Sequence, residues 1–220
     1  PTLIFYPQPL THQFHNAPVD GSDFTCASVT FDGGANHPLV KALPPLIVIP
    51  LAEVPALSGA LDLLFQEADQ VRCGRRLLAD RLFEVVLLLL LRWLLDHNNA
   101  YGVSIGLVSG LADPKLARAL TAMHENPEHL WSLESLAERA GMSRSAFASR
   151  FKAVVGLAPA DYLTEWRLTL AKKWLLQGRA VKLIAPDLGY ANASALSRVF
   201  AQRTGVSTRE WLAQSQGIDR

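Results

Sequence analysis

The feature that most restricts how this chain can fold is an internal repeat in its second half. Leu136 to Phe151 reads LAERAGMSRSAFASRF, and Ile184 to Phe200 reads IAPDLGYANASALSRVF. Leu136, Ala137 and Gly141 match Ile184, Ala185 and Gly189 at an offset of 48. Beyond the turn the offset is 49, pairing Phe147 with Leu196, Phe151 with Phe200 and Gly156 with Gly205. Tyr162-Leu163 then pairs with Trp211-Leu212. One extra residue in the second turn accounts for the change.

Each copy prescribes the same local structure. A short helix ends at a glycine, which tolerates the left-handed conformation of a helix C-cap. A small polar residue, Ser143 or Asn192, caps the helix that follows. That second helix keeps one apolar stripe, Phe147 and Phe151 in the first copy and Leu196, Val199 and Phe200 in the second. Its other face carries small, polar and basic groups. Ala137 and Ala185 are small where the paired helices cross. This is the order of a helix-turn-helix, whose second helix fits a DNA major groove. An unrelated helical bundle would leave the duplicated pattern unexplained.

Pro159 to Gln177, closed by Gly178, reads as a helix joining the copies, with Pro in its first turn and Gly at its end. Nineteen helical residues span roughly 28 Å, against about 34 Å between successive major grooves on one face of a duplex. Asp113-Pro114 opens an earlier helix with an acidic N-cap. Charge divides in the same place. Residues 1–112 hold 6 Lys/Arg against 10 Asp/Glu, net −4, and residues 113–220 hold 15 against 10, net +5. A basic half beside an acidic one points to a polyanionic partner for the basic half.

The first half is built differently. Nine of the 13 prolines precede residue 56. Asp23 to Phe31 and Leu46 to Leu51 read as strands. Leu57 to Ala68 and Leu77 to Leu95 read as helices, the second apolar nearly all round. Such a helix requires burial on several sides, which a homodimer or a purely intramolecular core would supply. Asn98 to Leu111, rich in Asn, Gly and Ser and without helical period, reads as an interdomain linker. Pro1–Phe5 carry no basic n-region, so no signal peptide is expected. The longest apolar run, Val85 to Leu91, is too short for a bilayer. Two cysteines, Cys26 and Cys73, suggest neither a disulfide framework nor a zinc site, and a reduced, cytoplasmic protein is expected.

The motifs SLESLAERAGMSRSAFASRFKAVVGLAPADYL, WRLTLAKKWLL and LGYANASALSRVFAQRTGVSTREWL together resemble the DNA-binding domain of the AraC/XylS transcription regulators over residues 113–213. ANHPLVKALPPLIVI and the helices after it are similar to that family's cupin-type sensor domain, with the front of the barrel missing. The fold class implied is mainly α. A small β segment (about residues 1–55) and helices (about 56–97) form a partial cupin-like sensor and dimerisation domain over 1–100. A linker covers 101–112. An all-α DNA-binding domain covers 113–220, with helix-turn-helix units at about 132–156 and 181–205.

The resemblance also implies a function and a set of contacts. The protein is expected to be a sequence-specific, one-component transcription regulator responsive to a small molecule. It would bind double-stranded promoter DNA as a homodimer, and contact RNA polymerase if it activates. Outward positions of the first reading helix are Arg144, Ser145, Ala148 and Ser149, and of the second Ala193, Ser194, Ser197 and Arg198. Family members often carry Arg where Ser149 stands, which weakens base readout there. Arg198 suits guanine or phosphate, and Lys152, Arg203 and Arg209 suit phosphate. Pro186 departs from the pattern inside the first helix of the second unit. It predicts a kink or a late helix start, because an interior Pro removes a hydrogen bond and crowds the carbonyl of Lys182.

No cofactor, metal site, phosphate loop or catalytic triad is expected, and no enzyme. One competing reading is a cupin-like metal-dependent enzyme fused to a DNA-binding module, with His12, His15 and His37 as ligands. Another is a protein-interaction module that has lost DNA binding through Pro186 and Ser149.

Overall fold

The computed structural model describes residues 1–13, 15, 25–31, 34, 37–69, 72–97 and 106–217. The chain begins with strand β1 (Thr2–Phe5), which pairs antiparallel with β2 (Ile47–Pro50), Leu3 facing Ile49 and Phe5 facing Ile47. The alternation of strand side chains sends Ile47 and Ile49 into the core and leaves Ile4 and Val48 exposed. Helix α1 (Pro38–Ala42) lies between the strands in sequence, with the imidazole of His37 as its N-cap acceptor. Two short 3₁₀ turns then lead into α2 (Ser58–Asp69) and α3 (Arg75–Asp96), which pack against each other.

Helices α4 (Leu107–Ala112), α5 (Pro114–Glu125), α6 (Leu133–Arg139), α7 (Arg144–Val155), α8 (Pro159–Leu176), α9 (Val181–Asp187), α10 (Ala193–Thr204) and α11 (Thr208–Gly217) complete the chain. Asp113 caps α5 as its sequence position requires, accepting from the N–H groups of Lys115 and Leu116. None of the helices among the described residues is long and apolar enough to cross a membrane.

Two expectations need correction. No strand forms over residues 25–31, the described part of the segment Asp23–Phe31. Its partial alternation meets no partner strand there, and an unpaired strand leaves its backbone groups unsatisfied. The expected linker ends in a helix, α4, in which Leu107, Val108, Ser109 and Gly110 are buried; residues 98–105 lie outside the described residues. Gly and Ser are poor helix formers, but burial outweighs propensity in a segment this short. Helix α4 packs against α1, α3, α5 and α7. Gly106 opens it at φ +139, with its N–H donating to the carbonyl of Val154. A Cβ at Gly106 would sit 2.7 Å from that of Ala42. Helix α3 buries Leu82, Val86, Leu90 and Leu94, with Leu89, Leu91, Trp93 and Leu95 partly buried against the same core. Leu77, Val85 and Leu88 on its opposite side are exposed, Leu77 at 62%.

Most of the buried residues fall into two clusters. The larger runs continuously from Ile47, Ile49 and Leu94 through Val108 and Leu116 to Phe147, Phe151, Tyr162 and Leu163. It therefore unites the first half of the chain with α4–α7. The smaller contains Leu168, Ala171, Leu175, Ile184, Ala185, Leu188, Leu196 and Phe200.

Phe151→Ala and Phe200→Ala should accordingly differ in extent rather than in cost, each losing about 3–5 kcal/mol. Calorimetry with hydrogen exchange should show Phe200→Ala melting α9–α11 early and leaving the rest protected. Phe151→Ala should weaken β1, β2 and α3 together with α7. A single common transition in both variants would contradict the division.

Candidate nucleic-acid interface

The two repeats form the same motif down to individual backbone bonds. In the first, the N–H of Gly141 donates to Glu138 and that of Met142 to Ala137, closing α6 with Gly141 at φ +63. In the second, the N–H of Gly189 donates to Pro186 and that of Tyr190 to Ala185, closing α9 with Gly189 at φ +74. The hydroxyl of Ser143 accepts from Ala146 N–H at 3.4 Å, and the side chain of Asn192 accepts from Ala195 N–H at 2.9 Å. These caps begin α7 and α10. Phe147 and Phe151 anchor α7, and Leu196 and Phe200 anchor α10, all fully buried.

Pro186 fits this frame at little cost. Helix α9 begins at Val181, so Pro186 falls in its last turn and the helix ends at the next residue. Lys182 and Pro186 are both exposed, so water can reach the carbonyl that loses its partner. The carbonyl of Pro186 still takes part in the turn, accepting from Gly189.

Most residues expected to face DNA are exposed. Arg144, Ser145, Ser149 and Lys152 are open on α7, as are Ser194 and Arg198 on α10 and Arg209 on α11. Ala148, Ala193 and Ser197 are half-buried. Arg203 is put to another use. Its guanidinium binds the carboxylate of Asp161 and lies 3.8 Å from that of Glu165, both on α8. Two carboxylates beside it compete with any phosphate for its charge.

Sequence reasoning missed three further residues. Arg150 on α7 donates to the Asp113 carboxylate. Burial works against ionisation there, but Arg150 and two backbone N–H groups hold the Asp113 carboxyl below its ordinary range. Arg167 on α8 donates to the carbonyls of Pro127 and His129. His124 on α5 is stacked 4.1 Å from Trp166, with its Nε2 hydrogen-bonded to the Tyr162 hydroxyl at 2.7 Å. Each partner lies about 40 residues away, so no local pattern signals these contacts.

The histidines proposed for a metal do not gather. His37 caps α1, His12 stacks on Tyr6, and His15 is exposed. Among the described residues, no group of three or more His, Cys, Asp or Glu side chains is placed to hold a metal ion.

Burial, with a smaller electrostatic contribution from His37, lowers the His124 pKa from 6.5 to about 4. A depressed imidazole pKa means the unfolded chain takes up the proton first. Stability from neutral His124 is whole above about pH 6.5 and is lost as pH falls toward about 4. Urea unfolding between pH 7 and pH 4 should show a loss on the order of 3 kcal/mol that His124→Gln removes. Parallel profiles for the two proteins would refute this assignment.

Comparison with known proteins places the geometry in context. Residues 1–96 match the family model described as Cupin, and residues 136–214 match the one described as Helix-turn-helix domain. An AraC-like transcription regulator of Streptomyces antibioticus is 37% identical over 83% of this chain. The transcriptional regulator AlkR of Acinetobacter baylyi is 32% identical over 81% of it. The chain spans 60% and 59% of the lengths of these relatives. A solved AraC-type DNA-binding-domain protein from Chromobacterium violaceum is 29% identical, covers 47% of this chain and 93% of its own, and superposes with a TM-score of 0.43.

Proposed function

As the chain belongs to the AraC-type transcription regulators, we propose that it binds promoter DNA through two reading heads, α7 and α10, in successive major grooves. The observation that carries this reading is the duplicated turn. Two helices of equal length, Arg144–Val155 and Ala193–Thr204, are capped and anchored alike and are joined by one 18-residue helix. Arg144, Ser145 and Ser149 on α7, with Ala193, Ser194 and Arg198 on α10, face base edges in this proposal. Lys152 and Arg209 hold phosphates, which fix register without reading sequence. Arg203 contributes mainly to positioning α10, since Asp161 and Glu165 already engage it.

The first half, matching the Cupin model, is assigned the sensing of a small molecule, and the protein is assigned to the cytoplasm, where its DNA lies. It is read as a regulator and not an enzyme. The exposed row Leu77, Val85 and Leu88 on α3 supports a homodimer. The Leu77→Glu, Leu88→Glu double variant should sediment as a monomer. An unsubstituted chain that is itself monomeric at micromolar concentration removes the dimer from the proposal.

The central test is binding to DNA from upstream of the chain's own gene. Affinity should fall steeply with salt, each neutralised phosphate adding about −0.9 to the slope of log K against log salt. Arg198→Ala should cost about 1–3 kcal/mol and relax preference at one base pair. Lys152→Ala should weaken all sequences alike and reduce the slope by about 1. Salt-insensitive binding, or an Arg198→Ala protein with unchanged preference, overturns the reading.

A further inference from the structure

Helix α8 is shared by two cores that lie on different sides of it. At 3.6 residues per turn, Pro159, Tyr162 and Leu163 occupy one face, and Leu168, Ala171 and Leu175 occupy roughly the opposite one. Tyr162 and Leu163 belong to the larger core, whereas Leu168, Ala171 and Leu175 belong to the smaller. Arg167 stands in sequence where the two sets meet, and on the wheel it falls between the two faces. It is half-buried.

Three contacts converge on Arg167. Its Nε donates to the Pro127 carbonyl at 2.6 Å and its Nη2 to the His129 carbonyl at 2.9 Å. Both carbonyls lie in the loop between α5 and α6, at the entrance to the first reading unit. The guanidinium also lies 5.6 Å from the ring centre of Tyr190, in the turn of the second unit. Next to Tyr190, Gly189 closes directly on the same loop. A Cβ at Gly189 would stand 2.4 Å from the Glu128 carbonyl oxygen and 2.8 Å from Nη2 of Arg167. One planar fork thus grips the first unit while its face meets the second, and a glycine lets the two backbones touch.

We propose that Arg167 is a positioning residue that sets the angle and separation of the two DNA-reading heads. The two heads draw on different cores. Small interfaces between units otherwise permit relative motion. A lysine would not substitute, because its ammonium lacks the flat, forked donor set that reaches two carbonyls while stacking on a ring. The proposal rests on both heads meeting one duplex, and its test separates the two ideas.

Spin labels at Glu138→Cys and Gln202→Cys, both exposed positions, in the full chain with Cys26 and Cys73 replaced by Ser, report head-to-head distance by electron double resonance without DNA. The parent should give one narrow distribution, and Arg167→Ala and Arg167→Lys a broad one. Gly189→Ala should shift the distribution with Arg167 retained. In parallel, duplexes selected from a random-sequence pool by the unsubstituted chain are rebuilt with one or two base pairs inserted between their two contacted segments. The parent should lose about tenfold in affinity per misplacement, equivalent to about 1.4 kcal/mol. Arg167→Ala and Arg167→Lys should bind the whole spacing series within about threefold, equivalent to about 0.7 kcal/mol. A purely structural role would lower melting temperature without flattening that profile. Unchanged distances and an unchanged spacing profile in folded Arg167→Ala overturn the proposal. Should that variant not fold, narrow, unshifted distances in both Arg167→Lys and Gly189→Ala overturn it equally. A chain that selects no duplex defeats the DNA reading, and the distance measurement still decides the role of Arg167.

Discussion

Everything in the second half is organised by the division of one helix between two hydrophobic cores. An amphipathic helix usually buries a single stripe against a single neighbour. Helix α8 buries Tyr162 and Leu163 in one cluster and Leu168, Ala171 and Leu175 in another. The two reading units are therefore separate packing problems solved on one rod. Their repeated turns follow from the same few requirements, a positive-φ glycine, a polar cap and buried aromatic or leucine anchors.

The division is unequal. The first unit shares its core with β2, α3 and α4, so the first half of the chain and the first head form one body. Helix α4 is the piece that makes this so, because its buried Leu107 and Val108 and its close approach at Gly106 leave no gap between the halves. The second unit joins that body through α8, through the Arg167 seam and through the pairing of Arg203 with Asp161 and Glu165. Packed interiors behave as discrete arrangements rather than soft continua. A strain arising in the first half thus reaches α7 through packed side chains, and reaches α10 through α8, the Arg167 seam and the Arg203 pairing.

What the sequence disclosed, and what it hid, divides by the range of the interactions. Ser143, Asn192, Asp113 and the glycines of the turns act within a few residues, and their roles were legible from spacing alone. Pro186 was legible as a departure, and its mild outcome follows from the start of α9 at Val181. Helix α4 was hidden because its composition favours a loop, and only burial against four other helices makes it helical. The open face of α3 was hidden too, since an all-apolar helix gives no clue to which side its own chain will cover. Arg167, Arg150 and Arg203 resemble any other basic residue on a helix until the fold brings partners from 37 to 42 residues away. For Arg203 those partners are two carboxylates, beside a group expected to hold phosphate.

The unequal attachment also bears on how a chain of this kind can change over generations. Substitutions inside the first unit are felt by the first half of the chain, because both draw on the same interior. The second unit keeps its own interior and meets the rest through α8, the Arg167 fork, the Arg203 pairing and one bare glycine. Under the proposed DNA binding, its outward residues are thus free to drift toward a new preference while the remainder of the molecule stays intact, leaving the second head as the more readily exchanged half of the recognition surface.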